Sequence, residues 1–433
     1  MRVVELNEKT KAEVIDTLGK RSFGGDEEIQ RIVDNIIEDV RENGDDALVR
    51  LTEGLDGVKF KPEEFRVSKT EIDEAYKKVD DSLIETIKKA IVNIRSFHEK
   101  QVRQSFITTR KDGVMLGQRI TPIEKVGVYV PGGRAPLSSS VLMNVIPAKV
   151  AGVERIVMMT PPAKDGSITP EVLVAADLAG CDEIYKIGGA QAVAALAYGT
   201  KTVPKVYKIV GPGNIFVTLA KKAVFGTVGI DSVAGPSEIL VLADETATPE
   251  FVACDLLSQA EHDPMSSAVL VTTDKKLAKK VEKLAYDFAK EQSRREIIEK
   301  CLDDWGFILV AKDMDEAVEI VNEIASEHLE ILTKNAFEVM TRIKNAGAIF
   351  LGEHSCEPLG DYFAGPDHVL PTCGTAKFSS PLSVDEFIKK SSLISYSREA
   401  LEEAHEDIIA FAKAEKLYAH ANSIAVRFGK EVK

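Results

Sequence analysis

Val126-Gly127-Val128-Tyr129-Val130-Pro131-Gly132-Gly133 decides the fold. A short β-branched run that stops at Pro-Gly-Gly predicts a strand over Val126–Val130 and a turn behind it. Further runs of the same kind follow at Arg155–Met159, Glu183–Ile187 and Val206–Val210. Between them lie Ala- and Gly-rich stretches with helical spacing, near 138–151, 170–180 and 190–198. Strand–helix–strand alternation implies parallel crossovers and an α/β layer architecture.

The pattern then restarts. Strands are predicted at Ile239–Leu242, Ala268–Thr272, Gly306–Val310, 328–332 and Ala348–Leu351, with helices at 249–262, 274–294, 313–325 and 335–345. The expected fold is therefore α/β, with two successive, incomplete Rossmann-like domains. The first spans 113–236 and the second 237–380, the latter with a functional loop.

Outside this repeat the chain reads as helical. Segments 26–55 and 69–104 carry apolar residues at helical spacing among many charges, with a break at Asn43-Gly44. Residues 1–112 read as a helical extension serving packing or dimer formation rather than chemistry. Residues 381–433 read as a helical tail, with helices at 398–414 and 415–424, placed to reach a partner subunit. The stretch 354–371 is irregular, and so long a loop in a compact protein is usually functional.

Composition narrows the function. The 433 residues carry a net charge of −14, which argues against a nucleic-acid or anionic-membrane surface, since both need basic patches. No apolar run reaches the roughly 20 residues that span a bilayer, and the N-terminus lacks a signal-type apolar region. The reading is cytoplasmic. Five cysteines without CxxC spacing fit a reducing compartment, and each reads as an inert thiol.

Candidate chemistry comes in three groups. Turns at Tyr129–Gly133, Ile187–Gln191, Val210–Asn214 and Ala234–Glu238 adjoin predicted strands, where glycines let a backbone approach a nucleotide cofactor. The dinucleotide fingerprint itself fails, because Phe216 stands where a third small residue belongs; Asp231, twenty residues after Gly211, makes only a partial match. In Leu257-Ser258-Gln259-Ala260-Glu261-His262-Asp263-Pro264, Gln259 and His262 are three apart at a helix end. Taken alone they read as caps on the last carbonyls of a surface helix. With Asp361, His368 and His420 from elsewhere they supply enough N and O ligands for a zinc-type site. Glu327-His328 opens a strand, and such a pair reads either as acid/base equipment or as a surface pair. His98 and His405 lie on charged helices and read as structural.

Taken together, these motifs resemble histidinol dehydrogenase. The resemblance is carried by Gly127–Gly133, Gly188-Gly189-Ala190-Gln191-Ala192, Gly211-Pro212-Gly213-Asn214, Ala234-Gly235-Pro236-Ser237-Glu238, Ser258–His262, Ser326-Glu327-His328-Leu329-Glu330, Gly360-Asp361-Tyr362 and Glu415 to His420. It implies zinc ligands at Gln259, His262, Asp361 and His420, and NAD contacts at Tyr129, Gln191 and Asn214. It implies proton acceptors at Glu327 and His328. Substrate contacts would come from Ser237, Gln259, His262, His328, Asp361, Glu415 and His420, with His368 nearby. It further implies a homodimer whose tails complete each other's sites, and oxidation of L-histidinol to L-histidine with two NAD. A related zinc and NAD dehydrogenase of another small amino alcohol or diol would carry the same apparatus. An inactive α/β binding module would not need all four ligands.

Overall fold

The computed structural model describes residues 1–21, 27–132 and 137–430. Gly133 of the opening stretch and residue 26, the expected start of a helix, lie outside the described residues. In chain order the strands are β1 (Arg2–Glu5), β2 (Phe106–Thr109), β3 (Met115–Pro122), β4 (Lys125–Tyr129), β5 (Arg155–Thr160), β6 (Glu183–Lys186), β7 (Lys208–Val210), β8 (Gly229–Ile230), β9 (Glu238–Ala243), β10 (Ser267–Thr272), β11 (Gly306–Val310), β12 (His328–Leu332), β13 (Ala348–Leu351) and β14 (Ile388–Ser395).

The chain divides into two compact units, Met1–Gln101 with Ile123–Phe387, and Val102–Pro122 with Ile388–Lys433. The first unit holds two parallel sheets. One has the order β6-β5-β4-β7-β8 and the other β1-β11-β10-β9-β12-β13. The chain passes from one to the other between β8 and β9, across the boundary expected at 236/237.

Both sheets are buried on both faces, and alternate side chains enter different cores. Val126 and Val128 point into one core and Tyr129 into another; Ile239 and Val241 are separated from Leu240 and Leu242 in the same way. Each apolar side chain so buried contributes about 1.5–3 kcal/mol. The N-terminal helices supply much of the cover. Val33, Ile37 and Val40 of Glu27–Asn43 pack on the Tyr129 face, and Ile84, Ile87 and Ile94 of Asp81–Glu99 on the Val128 face. Val14 and Leu18 of Glu8–Gly19 pack on the Leu240 face of the other sheet. Residues Arg2–Glu5 are themselves a strand of that sheet, in register with β11 from Arg2 opposite Phe307. The N-terminal region is thus part of the two cores rather than a helical extension of them.

In the second unit β14 pairs antiparallel with β3 from Ile388↔Pro122 to Ser395↔Met115, and β2 pairs with the other edge of β3. The helices Arg398–Ala414 and Tyr418–Ala425 follow. The boundaries expected at 112 and 381 therefore miss this sheet. Its strands are largely exposed and mix polar with apolar residues, so no burial pattern marked them. Among the described residues no helix is long and apolar enough to cross a membrane.

Topology places the candidate residues. Tyr129 ends β4, and the turns at Gly188 and Gly211 follow β6 and β7, so all three lie at carboxyl ends of the first sheet. Glu238 and His328 are the first residues of β9 and β12, at amino ends of the second. The helix Pro249–Ala260 runs from β9 back towards β10 and leaves Gln259 and His262 at that same amino end.

Candidate active site and metal centre

Neighbouring β9 and β12 run parallel with His328 opposite Ile239, so Glu238 comes beside Glu327. The Glu238 N–H donates to Glu327 Oε2 at 2.8 Å, and the Glu327 N–H donates to Glu238 Oε2 at 3.3 Å. His328 Nδ1 lies 2.9 Å from the Glu238 carbonyl oxygen. A carbonyl only accepts, so Nδ1 carries a proton and Nε2 is the nitrogen left for chemistry. Nε2 is buried and without a hydrogen-bond partner, 3.6 Å from Asp361 Oδ1 and 3.9 Å from Glu357 Oε1.

Glu357 and Asp361 lie four apart on the short helix Glu357–Tyr362, which puts both carboxylates on one face. Its first N–H donates to Glu330 Oε1 at 2.8 Å, which docks the helix on β12. With His328 they form a group whose ligand atoms all lie within 4.8 Å of one another. His368 Nδ1 donates to the Asp361 carbonyl at 3.1 Å, and His368 Nε2 lies 3.4 Å from Ser140 Oγ on the helix Ser138–Ala151.

Burial and charge oppose each other here. Burial pushes Glu327 up to about 8, against the pull of His328. Burial likewise raises Glu357 to about 7, helped by Asp361. Burial pulls His328 down, but Glu327, Asp361 and Glu357 outweigh it and hold the imidazole at about 10. Asp361 resists burial and stays well below the usual carboxylate range, through the imidazoles of His328 and His368.

Gln259 is fully buried, and neither amide atom has a hydrogen-bond partner. Leaving such groups unsatisfied costs about 1–3 kcal/mol. The helix Pro249–Ala260 that carries it packs against the acidic helix Glu357–Tyr362. His262 is more exposed. Desolvation of its ring lowers its pKa, Asp361 raises it, and His328 and His368 lower it, so it lies within electrostatic reach of the cluster. A buried, partnerless amide oxygen beside an ionised carboxylate and imidazoles fits a divalent cation such as zinc.

Of the four ligands implied by resemblance, Asp361 belongs to this cluster and Gln259 and His262 to the adjoining helix end. His420 lies in the second unit, exposed in the first turn of Tyr418–Ala425, and Glu415 caps Arg398–Ala414 there, also exposed. The sequence reading passed over Glu357 and Glu238. For Glu357 a signal existed: Glu357-Pro358 with Asp361 four residues on is a helix start with two acids on one face.

The cofactor-type turns are close-packed. The Tyr129 hydroxyl accepts the Gly189 N–H at 3.1 Å. Gln191 is buried, and its Oε1 has no partner. Gly211 has φ +109°, and a Cβ there would stand 2.1 Å from the Tyr129 carbonyl oxygen, so only glycine fits. Asp231 Oδ2 accepts the Gly211 N–H at 2.8 Å, while Lys221 donates to the Gly211 carbonyl at 2.9 Å and pairs with Asp231. Asp231 thus braces this turn. Asn214 caps the helix Ile215–Val224, its Oδ1 accepting from Phe216 and Val217. Ser237 is half-buried, and its carbonyl accepts from Ser267 at 3.0 Å. Burial holds the thiols of Cys181, Cys301 and Cys373 up at about 12, which denies them thiolate character near neutral pH.

The family model for histidinol dehydrogenase matches residues 20–428. A histidinol dehydrogenase of Clostridium acetobutylicum is 52% identical over 428 residues, covering 99% of each chain. One from Bacillus subtilis is 56% identical over 409 residues, covering 94% of this chain and 95% of that one. The crystal structure of histidinol dehydrogenase from Elizabethkingia anophelis superposes with a TM-score of 0.93 at 38% identity, covering 99% of this chain and 98% of that one.

Proposed function

This chain belongs to the histidinol dehydrogenase family, NAD-dependent oxidoreductases of histidine biosynthesis, and from that premise we propose how its residues divide the work. The reaction takes L-histidinol to L-histidine through the aldehyde, with two NAD and one water, in the cytoplasm. Gln259, His262 and Asp361, with His420 of the partner subunit, would hold one zinc ion. When bound, zinc would supply Lewis-acid binding of the substrate. The partnerless amide of Gln259 and the ionised Asp361 support this set. His328 is kept out of it, because an imidazole on the metal could not also accept a proton.

His328 accepts the hydroxyl proton as hydride leaves for the nicotinamide. The carboxylates around it hold its proton tightly in the metal-free chain. With Asp361 engaged by a cation, the carboxylate field on His328 would weaken and Nε2 would serve as the base. Glu327, raised by burial towards neutrality, takes a proton from the water that attacks the aldehyde. His328 releases the first proton to solvent between the two oxidations and then accepts the second hydroxyl proton on the same Nε2. Tyr129, Gln191 and Asn214 contact NAD, and the free, buried Oε1 of Gln191 supports that placement. Ser237, Gln259, His262, His328 and Asp361 contact substrate, joined by Glu415 and His420 of the partner subunit in a homodimer.

The observation that carries this reading is the Glu327-His328 pair fixed at the head of β12 with Nε2 free and facing Asp361. The test is NADH formed per L-histidinol, with and without a chelator. Two NADH per substrate, lost on chelation and restored by zinc, are expected. One NADH with free aldehyde, or indifference to chelation, would overturn it.

A further inference from the structure

We infer that Arg21, from the N-terminal segment, is a positioning residue for Glu327 and His328 and acts through Glu238. This rests on the roles proposed above for those two residues.

Arg21 is 1% exposed, and its whole guanidinium is engaged. Nε donates to the Met265 carbonyl at 2.7 Å. Nη1 donates to Glu238 Oε1 at 3.0 Å and to Ser267 Oγ at 2.6 Å. Nη2 donates to the carbonyls of Pro236 at 3.1 Å and Ser237 at 3.3 Å. The fork therefore grips the turn into β9, the turn into β10 and the carboxylate of Glu238 at once. A lysine carries the charge but not the planar fork.

Glu238 turns this grip into alignment of the proton acceptors. Its N–H binds the Glu327 carboxylate, its carbonyl binds His328 Nδ1, and its own carboxylate accepts the Glu327 N–H. One residue at the head of β9 thus touches both acceptors, and its side chain is fixed by Arg21. Packing alone does not require this arrangement: an apolar pair of similar volume commonly replaces a buried ion pair without loss. The two carboxylate oxygens divide the work, Oε1 accepting from Arg21 and Oε2 from the Glu327 N–H.

The experiment compares R21M, R21K, E238Q, the double variant R21M/E238Q and E327Q, reading kcat, KM for L-histidinol, zinc per chain and thermal midpoint. Misplacing acid/base groups by about 1 Å lowers turnover by about a hundredfold, so kcat per zinc-bearing chain should fall by about 10- to 100-fold in R21M and E238Q. KM for histidinol should stay within about twofold in E238Q, which leaves the Arg21 grip on the Ser237 carbonyl in place, and should rise in R21M, which removes it. R21K should recover part of the loss. Residues acting through one another are non-additive, so the double variant should be no slower than the slower single one. If R21M does not fold, R21K and E238Q carry the same comparison. Unchanged kcat per zinc-bearing chain, or penalties that multiply in the double variant, would overturn the inference. If E327Q leaves aldehyde oxidation intact, the proposed roles fail; if E327Q abolishes it while R21M and E238Q do not slow turnover, this inference alone fails.

Discussion

Glu238 and Glu327 hold each other across neighbouring strands, each accepting the other's backbone N–H, at 3.3 and 2.8 Å. Two acids this close and this buried cannot both ionise freely. Burial raises both carboxyls, Glu238 against the pull of Arg21 and Glu327 to about 8 against the pull of His328.

A carboxyl titrating there suits activation of water in the second oxidation. Glu327→Gln should slow aldehyde oxidation by about 10²–10⁴-fold, the usual reach of general-base catalysis, and slow alcohol oxidation much less. Stopped-flow NADH formation from histidinol and from the aldehyde separates the two. Equal falls would remove Glu327 from the role.

Gln259 gives a prediction about stability rather than rate. Its amide is buried with no protein partner, so Gln259→Leu should raise the stability of the chelated protein by about 1–3 kcal/mol. Zinc retention should fall in the same variant. Thermal midpoints in chelator and elemental analysis give both numbers; a lower midpoint without zinc would mean the amide is satisfied in some other way.

Lys221 and Asp231 pair in the interior, with side chains 3% and 4% exposed, and brace Gly211 from both sides. Lys221→Met leaves Asp231 buried and unpaired, which typically costs about 3–5 kcal/mol. Lys221→Met with Asp231→Leu should cost less than the single change. Urea unfolding compares them, and a rise in KM for NAD should accompany the looser turn.

His98 gives a prediction about acid sensitivity. It is fully buried, and burial lowers its pKa against the opposing bond to Gln101. Below about pH 6.5 the unfolded imidazole takes up a proton that the folded one refuses, so stability is complete above that value and falls as pH drops towards the folded pKa. Asp367, 3.7 Å away, is raised by burial and titrates in the opposite sense, so Asp367→Asn is carried as the matched background for both proteins compared. His98→Gln should flatten the decline below about pH 6.5 in urea midpoints, read on the linkage slope. An unchanged slope would place the acid sensitivity elsewhere.

The sequence made the parallel layers legible because strands such as Ile239–Leu242 are apolar throughout and their helices keep a clean period. It made Glu327-His328 legible because the pair abuts such a strand. It hid β14, whose Lys389, Lys390, Ser391 and Ser392 carry no burial signal. It hid Arg21 as well, since a charged residue at a helix end reads as solvated until Met265, Ser267 and Glu238 fold around it. Glu357 lay inside a stretch read as loop, where helical spacing was not sought.

The account turns on which side chains take the metal. A crystal of the zinc-loaded protein, with anomalous scattering recorded across the zinc edge, should show one ion per chain. Gln259, His262 and Asp361 should lie about 2.0–2.2 Å from it, with His328 Nε2 outside the inner shell. An ion seated instead on His328, Glu357 and Asp361 would contradict it, because His328 would then have no nitrogen left to accept the proton.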